Sequence, residues 1–155
     1  MTPSLPHGAA RTIAAALLLM LILPAGQASA KVTWKGIGPI RIGMTEAQLH
    51  ARLGEPSSVR PRSNDGSEVH AYNRRKLAAV VAGGSVRVVR TTSRAHRALG
   101  GVRVGMSRRE MRRRLKGESC GIEGTKVCSV EGNSAAMEFV WRRNRITMIT
   151  VGRSG

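Results

Sequence analysis

Aromatic side chains and acids are both scarce in this chain. Of 155 residues only four are aromatic and nine are acidic, and Asp65 is the sole aspartate. So few aromatics leave little for base stacking, and no nucleic-acid signature is present, so a specific nucleic-acid partner is not expected. No H-E-x-x-H, no G-x-S-x-G and no close carboxylate pair occurs, which removes the readable signs of a zinc protease, an esterase or a glycosidase. There are two cysteines, Cys120 and Cys128, with seven residues between them. That spacing is wrong for a CxxC redox pair, and two thiols alone make a poor zinc site. Long apolar runs are also lacking. The longest, Ile13 to Leu23, has eleven residues, whereas a bilayer span takes about 20.

Positive charge, by contrast, is abundant. The 26 lysines and arginines set a net charge of +17, and 41% of residues are hydrophobic. Such a chain is too apolar for a disordered polycation and too short for a large multidomain enzyme. Met1 to Ala30 reads as a secretory signal. Arg11 precedes the apolar run, Pro24 and Gly26 break it, and Ala28-Ser29-Ala30 is a small-x-small cleavage site before Lys31. The expected product is periplasmic or extracellular and has no transmembrane span. The first cysteine lies as far on as Cys120, so no lipid anchor is expected at the cleavage point. An oxidising compartment lets Cys120 and Cys128 pair.

The remaining chain carries one motif twice. Ile37-Gly38-Pro39-Ile40-Arg41-Ile42-Gly43-Met44-Thr45 is answered 62 residues later by Leu99-Gly100-Gly101-Val102-Arg103-Val104-Gly105-Met106-Ser107. A fixed offset of this kind predicts a duplication. Thr45 with Gln48, and Ser107 with Glu110, have the spacing of a capping box. Met44/Leu49 and Met106/Met111 have the spacing of a hydrophobic staple. Leu53 and Leu115 extend each apolar stripe by one turn. Gly54 is placed to end the first helix, with Pro56 beyond it. Helices this short need packing to persist.

Strands are expected after each helix. The first set is Glu68 to Tyr72, Leu77 to Ala82 and Ser85 to Thr92, with Gly83-Gly84 as a positive-φ hairpin turn. The second is Lys126 to Val130, Ala135 to Trp141 and Arg145 to Val151, with turns at 131–133 and 142–144. Ser57 to Gly66 reads as a loop. The expected fold class is α+β: two tandem helix-plus-antiparallel-strand repeats with helices packed on one face of the sheet. The expected boundaries are 1–30 for the signal, 31–92 for the first repeat, 93–98 for a joint and 99–155 for the second.

One motif fails on inspection. Gly38-x4-Gly43-Met44-Thr45 and its copy resemble a P-loop, but both lack the phosphate-reaching lysine and alternate like a strand. Beyond His7, the histidines are His50, His70 and His96. His50 falls on a helix and His70 on a strand, and each reads as a surface or border residue. No metal, cofactor or catalytic residue is assigned, and the chain is read as a non-enzyme.

Charge supplies the remaining clue. The second helix carries Arg108, Arg109, Arg112, Arg113, Arg114 and Lys116 against Glu110. Arg108/Arg112 and Arg109/Arg113 are like-charge pairs one turn apart, and arginines in the first turn oppose the helix dipole. The first helix has no such clash. The candidate binding residues are Arg108, Arg109, Arg112 and Arg113, facing anionic lipid, wall polyanions or an acidic protein. Tyr72 and Trp141 are further candidates on the sheet.

Gly43-Met44-Thr45, Leu49, Leu53-Gly54 and Pro56, a Tyr72-containing strand and a glycine-turned hairpin together resemble a known superfamily. They are similar to the small lipoprotein subunit of the bacterial outer-membrane β-barrel assembly machinery (the SmpA/OmlA family). The duplicated arrangement resembles the secreted β-lactamase-inhibitor protein, a tandem version of a similar unit. The resemblance implies a non-catalytic exported module that binds another exported or envelope protein through its sheet face or loops. The lipid-attachment cysteine is absent, and Lys116 and Glu118 stand where Gly54 and Pro56 stand in the first copy.

Overall fold

A computed structural model describes residues 30–62, 65–120 and 126–153. The expected signal segment, apart from Ala30, lies outside the described residues. Strands β1 (Val32–Thr33), β2 (Gly36–Ile37) and β3 (Ile40–Arg41) form a small antiparallel sheet, and helix α1 (Glu46–Leu53) follows. Next come β4 (Ser58–Pro61), β5 (Glu68–Tyr72), β6 (Leu77–Ala82) and β7 (Ser85–Thr91). Helix α2 (Arg108–Arg114) leads into β8 (Ser119–Cys120), β9 (Val127–Glu131), β10 (Ala136–Arg142) and β11 (Arg145–Gly152). The eight later strands make one antiparallel sheet in the order β4-β5-β6-β7-β11-β10-β9-β8.

This overturns the expected fold class. The chain is mostly β, with two short helices among the described residues, not two helix-plus-strand repeats. The physical reason lies at the β7–β11 seam. Thr91 pairs with Ile149 and Val89 with Val151 there. The inner edges of the two hairpins satisfy each other's backbone groups and leave no exposed edge between them. Cap and staple signals are strong locally, but helices of eight and seven residues contribute little beside a sheet this wide.

The six expected strands do form, within a residue or two at each end. The expected loop at 57–66 instead contains β4, an outer strand where Pro61 is tolerated because its missing N–H leaves no ladder bond unmade. Positive φ at Gly83 (56°) and Gly84 (68°) makes the tight β6–β7 turn.

Register builds the core. Across one face the sheet aligns Tyr72, Leu77, Thr91, Ile149, Phe139, Cys128 and Cys120. A neighbouring row holds Val59, His70, Ala79, Val89, Val151, Met137 and Val130. Apart from the exposed Val59, the apolar members pack with Leu49 and Leu53 of α1, Met111 and Leu115 at α2, and Ile37 and Ile40, in a single cluster. The opposite face carries the row Ser58, Ala71, Ala78, Arg90, Thr150, Glu138, Ser129 and Ser119, which crosses all eight strands.

Candidate functional site

Both helices start as the capping boxes predict. The Thr45 hydroxyl accepts from the Gln48 N–H at 3.2 Å, and the Thr45 N–H donates to Gln48 Oε1 at 3.1 Å. Ser107 accepts from the Glu110 N–H at 3.2 Å, and its own N–H donates to Glu110 Oε2 at 2.9 Å. Each start is seated on a hairpin. Gly43 N–H donates to Val86 C=O at 2.7 Å and Val86 N–H to Met44 C=O at 2.8 Å. Gly105 and Ile146, then Ile146 and Met106, repeat these bonds at 2.8 Å each. The residues of the failed P-loop motif are thus occupied: Ile40–Arg41 is a strand, and Thr45 and Ser107 are caps.

The arginine-bearing helix stands on the β10–β11 hairpin. Arg143 (φ 47°) and Asn144 (φ 60°) form its turn, and the Arg108 N–H donates to the Asn144 carbonyl at 3.3 Å. The Arg108 guanidinium lies 4.7 Å from the Trp141 ring centroid, a cation–π contact that fixes its direction. Its buried Nε has no hydrogen-bond partner. Arg108, Arg109, Arg112 and Arg113 line an open cleft of about 490 Å³ with Asn144. On another flank of α2, a second cleft of about 550 Å³ is lined by Arg94, Arg103, Arg114 and Arg145 with Glu110. Glu110 stays ionised there: hydrogen bonds from the Ser107 backbone and hydroxyl, and then Arg113 and Arg114, hold its carboxyl below the usual range. Arg145 donates to Gly105 C=O at 2.9 Å and Arg114 to Gly100 C=O at 3.3 Å. Arg112 pairs with Glu118 at 3.1 Å. The side chains of Arg109 and Arg113 make neither a hydrogen bond nor a salt bridge among the described residues, although the charge of Arg113 acts on Glu110. The arrangement presents two cationic clefts whose few acids are already engaged.

The four arginines named from the sequence are therefore gathered in one place. Tyr72 and Trp141 are not exposed, at 4% and 7% of full accessibility. Both point to the core face because the two-residue pleat aligns them with Leu77 and Ile146. Trp141 reaches the site only as the ring beneath Arg108. Burial raises the Tyr72 phenol pKa, with Glu55 and Glu46 adding to the shift.

A second constellation was not assigned from the sequence. His70 is buried, 1% exposed, so the reading of it as a border residue is corrected. Its Nδ1 lies 3.3 Å from Nε2 of His50. Helix α1 places Glu46 one turn before His50, and ligand atoms of Glu46, His50 and His70 lie within 4.8 Å of one another. The i,i+4 spacing of Glu46 and His50 was legible, but their meeting with β5 depends on tertiary packing. His96 stands elsewhere, buried and 2.5 Å from the Thr91 hydroxyl, with its pKa lowered by desolvation. Asp65 accepts from the Ser67 N–H at 3.0 Å within its own loop.

No known family profile and no curated protein sequence matches this chain. The fold is similar to that of an extracellular protein containing a SCP domain from Bacillus anthracis, with TM-score 0.57 and 16% identity over 73% of this chain and 44% of that one. A cysteine-rich secretory protein from Staphylococcus aureus gives 0.53 at 10% identity, again over 73% and 44%. The uncharacterized protein yfeY from Escherichia coli gives 0.51 at 14% identity, over 80% of this chain and 99% of that one. This chain spans less than half the length of the first two. At these identities the likeness is one of fold alone. None of the three is described as a member of either family that the sequence motif resembles. The Cys120–Cys128 disulfide fits an oxidising compartment. No helix among the described residues is long and apolar enough to cross a membrane.

Proposed function

We propose that this chain is an exported, non-catalytic binding module that recognises an acidic surface of another exported or envelope protein through the arginines around α2. One observation carries the reading. Arg108, Arg109, Arg112 and Arg113 line a single cleft, and the guanidinium groups of Arg109 and Arg113 make no hydrogen bond or salt bridge among the described residues. Sequence motifs similar to the assembly-machinery lipoprotein and the β-lactamase-inhibitor protein support a module of this kind. The signal-like Met1–Ala30 supports export. The test is affinity capture from the organism's envelope and secreted fractions at low and high salt. One protein retained at high salt in fixed stoichiometry is the expected result, because charge pairs desolvated in an interface are screened far less than exposed ones. Loss of everything with salt would sink this reading.

That outcome would favour a second one, a cationic protein contacting anionic lipid or wall polymer. The like-charge pairs that α2 carries on its exposed side support it. Replacing Arg109, Arg112 and Arg113 with glutamine is then expected to weaken salt-sensitive binding to anionic vesicles, and unchanged binding would remove the helix as the contact.

A further inference from the structure

The geometry points to a divalent transition-metal site, of the kind zinc occupies, formed by Glu46, His50 and His70 between α1 and β5. The ligand set is one carboxylate and two imidazoles, a combination that binds Zn²⁺ and leaves a fourth position open. Helical spacing sends Glu46 and His50 to one face, and β5 brings His70 to meet them. His50 Nε2 is 3.3 Å from His70 Nδ1 and 3.9 Å from Glu46 Oε1, and His70 Nε2 is 3.7 Å from Glu46 Oε1. Ligands around a tetrahedral ion with bonds of about 2.0–2.1 Å stand roughly 3.4 Å apart. The two His70 contacts use different ring nitrogens, of which one binds a given ion. Taken one ligand atom per residue, the set lies within 4.8 Å, and side-chain rotation is needed to close it.

Two independent features separate this cluster from a chance meeting of polar groups. The first is His70 Nε2, buried and without a hydrogen-bond partner, yet facing Glu46 and, at 3.4 Å, Glu68. An orphaned buried imidazole nitrogen is costly unless something occupies it. The second is the surrounding shell. Glu55 Oε1 lies 3.6 Å from His50 Nδ1, the position of the outer carboxylate that orients a metal-bound histidine. Three of the nine acids in a chain of net charge +17, Glu46, Glu55 and Glu68, thus converge on two histidines. The cluster is a local anionic spot on a cationic protein, suited to a cation. A bound ion would tie α1 to the sheet, a connection that α2 lacks.

The test is titration of the metal-free protein with Zn²⁺ by calorimetry and with Co²⁺ by visible absorption, for the wild type, His50→Gln and Glu46→Gln. Both residues are half-buried and lie outside the core, and circular dichroism of each variant checks that the fold is retained. Stoichiometric binding is expected, with a tetrahedral Co²⁺ spectrum, a Zn²⁺-dependent rise in Tm and affinity lowered at least about 100-fold in each variant. The ring signals of His50 and His70 should shift on addition of Zn²⁺ while that of His96 does not. Absence of saturable binding, or affinity unchanged in both variants, would overturn the site.

Discussion

The two helix starts differ in a way that separates what folds this protein from what it presents. Thr45 and Ser107 cap in the same manner, Met44 and Met106 are buried in the same manner, and each segment is seated on a hairpin by the same backbone bonds. The outward residues share almost nothing. Ala47 and Ala51 of α1 stand where Arg109 and Arg113 stand in α2, and His50 where Arg112 stands. One helix faces a histidine–glutamate cluster and the other faces two arginine-lined clefts. Conformation is carried by the residues the two segments share, and chemistry by those they do not.

The strongest way to break that comparison is to empty the shared part. Leu49 and Met111 are fully buried at equivalent places, and Leu49→Ala and Met111→Ala are each expected to cost about 2–5 kcal/mol in denaturant unfolding. A loss at one site only would show that the two helices are not anchored alike. Removing the caps should cost less, about 0.5–2 kcal/mol for Thr45→Ala and Ser107→Ala. Ser107→Ala should be the worse of the two, because the Ser107 hydroxyl also donates to Glu110 Oε2 at 2.7 Å.

Acid sharpens the difference without a mutation. Glu110 is held below the carboxylate value of 4.5 by its bonds from Ser107, whereas Gln48 in α1 does not titrate. The contribution of the Glu110 cap is present above pH 4.5 and is lost as pH falls from there through the folded-state value. Amide exchange measured between pH 6 and 3, about the span in which a carboxylate titrates, should show Ser107 losing protection while Thr45 keeps it. Equal behaviour would remove the assigned cause. The smallest effect is expected from Arg109→Ala/Arg113→Ala, which gives α2 the residues of α1. Relief of one like-charge pair should stabilise by a few tenths of a kcal/mol at low salt and by less at high salt.

Much of this was legible in the chain itself, for physical reasons. Caps and staples act within four residues, so Thr45, Gln48, Ser107 and Glu110 announce themselves. Alternation at period two exposed β10, and strand-forming runs bounded by turn residues exposed β5, β6, β7, β9 and β11. Edge strands carry no such signal: Ser58–Pro61 reads as polar loop because neither its length nor its composition demands burial. Trp34 was passed over because β1 to β3 are two residues each, yet it packs on the core. The fold class failed at the β7–β11 pairing, a long-range choice that no local pattern encodes. The arginines of α2 were found from charge alone, whereas the meeting of His50 with His70 needed the sheet to be assembled first.

The most direct test of the arginine surface uses the same Arg109→Ala/Arg113→Ala protein in the capture experiment beside the wild type. With folding intact, the wild type is expected to retain its acidic partner at high salt and the double variant to lose it. Equal retention by both would contradict the assignment of recognition to α2.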